Sequence, residues 1–177
     1  MPFLNEKDLT LSPDKNFSIY YQPVTFSSKS HNKIIIKNIV LKSRILYKMC
    51  EHKQQIYPFF ISLKNCSDSA FIPKFEEKLT KFIKNRFNHN IVLLKPGVVI
   101  DWLPKEIINL FDFLGNSTEK AGISIDKNIR LHPLNSIIGI GVPTDKEISN
   151  CSFCNQSKCS RRISKFKQDL VDKFYEA

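Results

Sequence analysis

The chain predicts a mixed fold of strands and helices, on three observations. Strand-like and helix-like runs alternate from Phe17 to Val142, which is the pattern of an α/β or α+β domain. The stretch FIPKFEEKLTKFIKNRFN, over 71–88, spaces its apolar residues three and four apart with charges between them, as a helix with one buried face must. The 177 residues, 42% hydrophobic and 25% charged, suffice for one domain with a sizeable core. The alternation itself leaves parallel and antiparallel sheets both open.

Residues 1–32 are punctuated by Ser, Asn and Pro and read as an irregular arm, with FSIYY (17–21) as a strand within it. KIIIKNIV, over 33–40, is a predicted strand by its β-branched content. A helix is expected from Ser43, with Ile45, Leu46 and Met49 on one face. IYPFFISL, over 56–63, is apolar enough for a strand, and Pro58 places it at an edge or the proline early in it. Asn65 to Asp68 form a turn. The helix over 71–88 takes Pro73 in its first turn and buries Phe71, Phe75, Leu79, Phe82 or Ile83, and Phe87. An aromatic stripe of this kind is a core face before it is a cofactor box.

The organising stretch runs from Leu93 to Val142. Ile91 to Leu94 read as a buried strand, stopped by Pro96-Gly97 because proline has no N–H and glycine takes a positive φ. Pro104 opens a helix with Ile107, Ile108, Phe111 and Leu114 at helical spacing, and Gly115 ends it as a left-handed cap. GISI (122–125) and the Gly-punctuated SIIGIGV (136–142) read as strands, the second with a close backbone approach or a bulge. From Arg162, the residues Ile163, Phe166, Leu170, Val171 and Phe174 mark a last amphipathic helix. The chain therefore divides into an arm (1–32), a body (33–148) and a cysteine-bearing tail with its helix (149–177).

The order of Pro96-Gly97, Trp102, Pro104, Phe111, Leu114, Gly122-Ile123, Pro133, Ser136 and Gly139 resembles the S-adenosylmethionine-binding activation domain of cobalamin-dependent methionine synthase, closest in form to its free-standing versions. The likeness covers roughly the second half of the chain and rests on order and spacing over one continuous stretch. It implies an α+β fold with a curved mixed or antiparallel sheet flanked by helices. It also implies a role in reactivating a corrinoid protein, with cobalamin entering only through that partner. The ligand site it implies lies at Lys95, Pro96, Gly97, Val98, Asp126, Arg130, Pro133 and Ser136.

Three departures fall on that site. Where the family carries an Arg three residues before Pro-Gly and a Tyr after it, this chain has Leu93 and Val98. A leucine cannot make the two parallel charge-assisted bonds by which a guanidinium holds a carboxylate. Lys127 stands where the family has a carboxylate, a reversed charge. Lys95 and Arg130 are the nearest cations that would grip a carboxylate from another direction; solvated surface charge is the other reading of each. The family's long helical excursion after the IYPFFISL strand is replaced by NCSDSA. The framework is kept, and the grip on S-adenosylmethionine is altered.

Cys151, Cys154 and Cys159 form C-x2-C-x4-C, a spacing that lets thiolates converge on one ion. Zinc and an iron–sulfur cluster both fit the donor set, with Cys66, Cys50 or His132 as a fourth zinc ligand. A retroviral-type knuckle would need His where Ser164 stands. Three reduced structural cysteines without metal are the alternative. Free-standing members of the family close with a similar cysteine group, so the tail agrees with the resemblance.

The net charge of +10 invites nucleic acid, but the basic residues are scattered with Asn and Ile rather than gathered into a stripe, SRRISKFKQ being the one dense cluster. Neither a leader nor a run of membrane-spanning length is expected, which makes the cytoplasm the predicted compartment. No Gly-rich phosphate loop, HExxH, Gly-x-Ser-x-Gly or catalytic carboxylate pair occurs. Asp101 reads as a turn or cap residue. Three functions follow. The first two are an accessory to corrinoid methyl transfer, and a zinc or iron–sulfur electron-transfer or scaffold module without S-adenosylmethionine. The third, on charge and SRRISKFKQ, is an RNA- or DNA-associated knuckle protein, and it ranks behind them.

Overall fold

Two apolar strands lie at the middle of the molecule because neither has a polar face. In the computed structural model, which describes residues 17–30, 32–64 and 68–176, β5 (Tyr57–Leu63) is buried at every position. Strand β9 (Asn135–Pro143) is nearly so. They pair with each other, and β1 (Phe17–Tyr21) and β6 (Ile91–Leu94) flank them in the order β1-β5-β9-β6. Every pairing is antiparallel. The chain is thus α+β, with antiparallel sheets and five helices among the described residues. The predicted arm at 1–16, Cys66 and most of the 65–68 turn lie outside those residues.

One face of this sheet is covered by α2 (Ile72–Phe87) alone. Its Ile72, Phe75, Leu79 and Ile83 pack with Ile19, Tyr21, Phe59, Ile61, Ile91 and Leu93, and each such side chain contributes roughly 1.5–3 kcal/mol by leaving water. The period-3.6 stripe is present with one change. Phe71 is 42% exposed in the 3-10 turn that precedes the helix, and Ile72 takes the buried place.

The other face is covered by several elements. β2 (Ser27–Ser30), β3 (Lys33–Ile36) and β4 (Ile39–Lys42) form a second sheet. Helices α1 (Arg44–Cys50), α3 (Glu106–Leu114) and the C-terminal α5 (Gln168–Tyr175) complete the layer. Ile34, Ile36, Leu41, Ile45, Leu46, Trp102, Leu110 and Val171 meet Phe60, Leu94, Ile138 and Ile140 there. A short α4 (Asn116–Lys120) and the hairpin β7 (Ser124–Ile125) and β8 (Leu131–His132) lie between α3 and β9.

Several expectations are corrected. The single strand over 33–40 is a hairpin, turned at Lys37-Asn38 with Lys37 at φ 52°. Of the two places expected for Pro58, the early one holds and the edge does not: β5 is interior, and Pro58 is its second residue, its carbonyl accepting from the Gln22 N–H at 2.9 Å. α3 turns Leu110 inward and leaves Ile108 exposed. Gly115 has a positive φ of 40° but ψ of −117°, outside the left-handed helical region. The last helix begins at Gln168, not Arg162, since 162–167 is irregular and leaves Ile163 exposed.

Gly139 answers the expectation of close approach. A side chain there would overlap the Leu94 carbonyl oxygen and come within 2.9 Å of the Phe59 ring. At Gly141 the nearest obstacle is the mobile end of Ile91, at 3.1 Å. Gly139→Ala should therefore destabilise by about 3 kcal/mol or more, against about 1 kcal/mol for Gly141→Ala, as the urea midpoints of the two variants would report. Equal midpoints would contradict this packing.

Candidate functional site

The loop that carries the Pro-Gly turn is folded back on itself. Gly97 takes φ 75°, which glycine adopts without strain, and an added side chain would crowd Pro104 at 3.0 Å. Its N–H donates to the Trp102 carbonyl at 2.6 Å, while the Val98 and Val99 N–H groups donate to the Lys95 carbonyl. Trp102 sits in the core, 1% exposed, and its indole N–H finds no hydrogen-bond acceptor. Two bonds from the cysteine segment hold this loop: the Lys95 N–H donates to Asn150 Oδ1 at 3.1 Å, and the Ile100 N–H to the Phe153 carbonyl at 3.0 Å.

The charged residues of the loop are occupied by the protein itself. Lys95 Nζ lies 2.6 Å from Glu76 Oε1 on α2, with both side chains mostly shielded. Asp101 accepts from Ser43 Oγ at 2.7 Å and from the backbone N–H groups of Arg44 and Ile45 at 2.7 and 3.0 Å. It is thus the capping carboxylate of α1, reached from 56 to 58 residues away, where the orphan N–H groups of a helix start want an anion. Ser43 completes the cap by accepting from the Leu46 N–H at 2.9 Å. Tyr175 on α5 also bonds Asp101, and burial, then the Asp101 charge, push its phenol up to about 12. Cap was the right reading of Asp101, though of a distant helix.

A second group forms at the β7–β8 turn. Asp126 accepts from His132 Nε2 at 3.0 Å and from the Asn128 and Arg130 N–H groups at 2.8 and 3.0 Å. The His132 bond, then the Arg130 N–H, hold its carboxyl below the ordinary carboxylate range. Ile129 adopts φ 62° in this turn, an uncommon conformation for a β-branched residue, and the bonds to Asp126 on either side hold it there. Arg130 and Lys127 are exposed.

The candidate residues thus fall into two groups: Lys95, Pro96, Gly97 and Val98 share the first loop, and Asp126 and Arg130 share the hairpin turn. No hydrogen bond or ion pair joins the groups among the described residues. Pro133 links β8 to β9. Ser136 is buried on the sheet, its hydroxyl 2.9 Å from that of Ser62. Leu93, in the place of the family's Arg, points into the core under α2. A cavity of ≈ 520 Å³ opens beside the hairpin, lined among others by Phe111, Thr118, Glu119, Ile123 and Ile125. One of ≈ 420 Å³ opens between α2, Leu93 and Asn150.

Of the cysteines, Cys154 is buried, Cys151 half-buried and Cys159 exposed. Arg162 organises them: its guanidinium donates to the carbonyls of Cys154, Gln156 and Ser164, and its N–H to that of Cys159. Among the described residues no three His, Cys, Asp or Glu side chains gather as a metal-holding group. Cys50, a candidate fourth ligand, lies in the core with its thiol pushed up by burial, and His132 is engaged by Asp126.

A part-buried polar pair carried no signal in the sequence: Tyr57 Oη, 2.9 Å from His89 Nε2, its phenol pushed up to about 12 by burial and then by Tyr21. Likewise, no helix among the described residues is long and apolar enough to cross a membrane. The fold and site define a class no narrower than an α+β protein with a doubly buried antiparallel sheet. No family model matches the chain, and neither a curated protein nor a solved structure matches it.

Two outcomes follow. Asp101→Ala should cost about 2 kcal/mol, the upper end for a helix cap, and Ser43→Ala about 1 kcal/mol, by urea titration; unchanged midpoints would remove the cap. Asp126 has a lowered folded value, so its contribution is present above about pH 4 and is lost as pH falls through the folded value. NMR should show the Asn128 and Arg130 amides shifting together in that acid range, and Asp126→Asn should abolish the shift.

Proposed function

We propose that this protein is an accessory to corrinoid methyl transfer, docking on a cobalamin-bearing partner during S-adenosylmethionine-linked reactivation. The observation that carries the reading is the ordered series from Pro96-Gly97 through Trp102, Pro104, the Gly122 hairpin and Pro133–Ser136 to Gly139. Three of these residues have steric reasons to be present: Gly97 against Pro104, Trp102 in the core, and Gly139 against Leu94. A scaffold held by such constraints supports kinship in fold with the methionine synthase activation domain.

The altered positions support a changed ligand site. Leu93 faces the core, Val98 is half-buried and Lys127 is exposed, so none supplies the guanidinium or carboxylate grip of the family. Lys95 is paired with Glu76. The methyl chemistry belongs to the cobalt and the sulfonium of the partner complex; this chain supplies shape and excludes water. A zinc or iron–sulfur module is the second reading, carried by the C-x2-C-x4-C spacing of Cys151, Cys154 and Cys159.

Isothermal titration separates the possibilities. The expected result is micromolar binding to a cobalamin-loaded corrinoid protein, with no heat from S-adenosylmethionine alone up to millimolar concentration. Absence of binding to corrinoid proteins, with or without S-adenosylmethionine, would sink the proposal.

A further inference from the structure

We propose that Cys151 and Cys154 form a dithiol that exchanges with an anionic disulfide of the glutathione class. The proposal stands apart from the corrinoid reading. It begins from backbone geometry. The Cys154 N–H donates to the Cys151 carbonyl at 3.2 Å, so that Cys151 and Cys154 are the first and fourth residues of the turn that ends the 3-10 helix Asn150–Phe153. A turn of that kind brings its first and fourth Cα atoms within about 7 Å, and disulfides span roughly 4.4–6.8 Å between Cα atoms. The pair is free yet within bridging reach.

Exposure assigns the order of attack. Cys154 is 5% exposed, so an incoming disulfide cannot reach it first, whereas Cys151 is half-buried at the surface. The Cys151 thiolate attacks one sulfur of the disulfide, whose S–S bond breaks, and one thiolate leaves with the electron pair. The Cys154 thiolate then attacks the Cys151 sulfur of the mixed disulfide and expels the second thiolate. The two protons of the protein thiols end on the departing thiolates. The protein loses two electrons, and the glutathione-class disulfide gains them.

Charge selects the co-reactant. Between Glu147 and Asp169 there is no acidic residue, while Lys158, Arg161, Arg162, Lys165 and Lys167 all fall there. A disulfide carrying carboxylates is drawn to such a segment, and a neutral or cationic one is not. Cys159, exposed beyond the turn, has no partner at turn spacing and takes no part in the exchange.

The test equilibrates the full chain anaerobically in mixtures of reduced and oxidised glutathione, quenches by alkylation and maps peptides by mass spectrometry. The expected result is a Cys151–Cys154 link that grows with the oxidised fraction, two hydrogens lighter, with Cys159 still alkylated. In Cys154→Ser, glutathione should accumulate on Cys151 instead. Should that variant fail to fold, the wild-type map and Cys151→Ser, expected to lose both link and adduct, decide the matter. Three results would overturn the proposal: no internal link at any ratio, glutathione confined to Cys159, or stoichiometric zinc or iron shielding the thiols in the purified protein.

Discussion

Burial of the central sheet on both faces is the constraint from which the rest of this structure follows. β5 and β9 have no solvent side, so each face needs its own apolar layer, and a single chain of this length must supply both. One layer is a single helix whose four inward residues recur at helical spacing. The other is assembled from a hairpin sheet, three helices and the Trp102 loop. At the centre the strands approach so closely that Gly139 has no room for a methyl group. Any loop leaving this sheet is placed by packing before it is placed by function.

That order of causes explains why charges that look available are not. Lys95 leaves β6 and at once meets Glu76 from the helix on the opposite layer. Asp101, in the same loop, closes the N-terminus of α1 and bonds Tyr175 of α5. A partly shielded cation left without its anion, or a helix start without its cap, costs more than the pair itself contributes. The loop is therefore held from three directions, and ligand chemistry must come from groups that these contacts leave over.

What could be read from residues alone was local. β5, α2 and β6 were legible because a continuous apolar run, or a period near 3.6, survives any tertiary arrangement. The hairpin within 33–42 was not, since Lys37-Asn38 lacks the glycine that usually marks such a turn. GISI (122–125) contains β7 at its second half, whereas β8 has only two residues, too few for any period to show. The start of α5 was misplaced because Arg162 bonds three carbonyls around itself, which no spacing rule anticipates. Of the candidate site, the framework was legible through steric demands on glycine and proline. The engagement of Lys95 by Glu76, 19 residues away, and of Asp101 by α1, more than 50 residues away, depends on the fold and left no trace in sequence.

The tail is part of this fold and not an appendage to it. Asn150 and Phe153 lie on either side of Cys151 and just before Cys154, and they hold the Lys95 and Ile100 amides at the two ends of the Pro-Gly loop. Phe153 is itself fully buried, with its ring 5.6 Å from that of Phe174 on α5. A covalent bond between the two cysteines would tighten the turn that carries both anchors. Such a bond would act on the Pro-Gly loop through two hydrogen bonds, one to the Asn150 side chain and one to the Phe153 carbonyl, each net worth about 1 kcal/mol. A coupling of that size is small beside the stability of a whole domain.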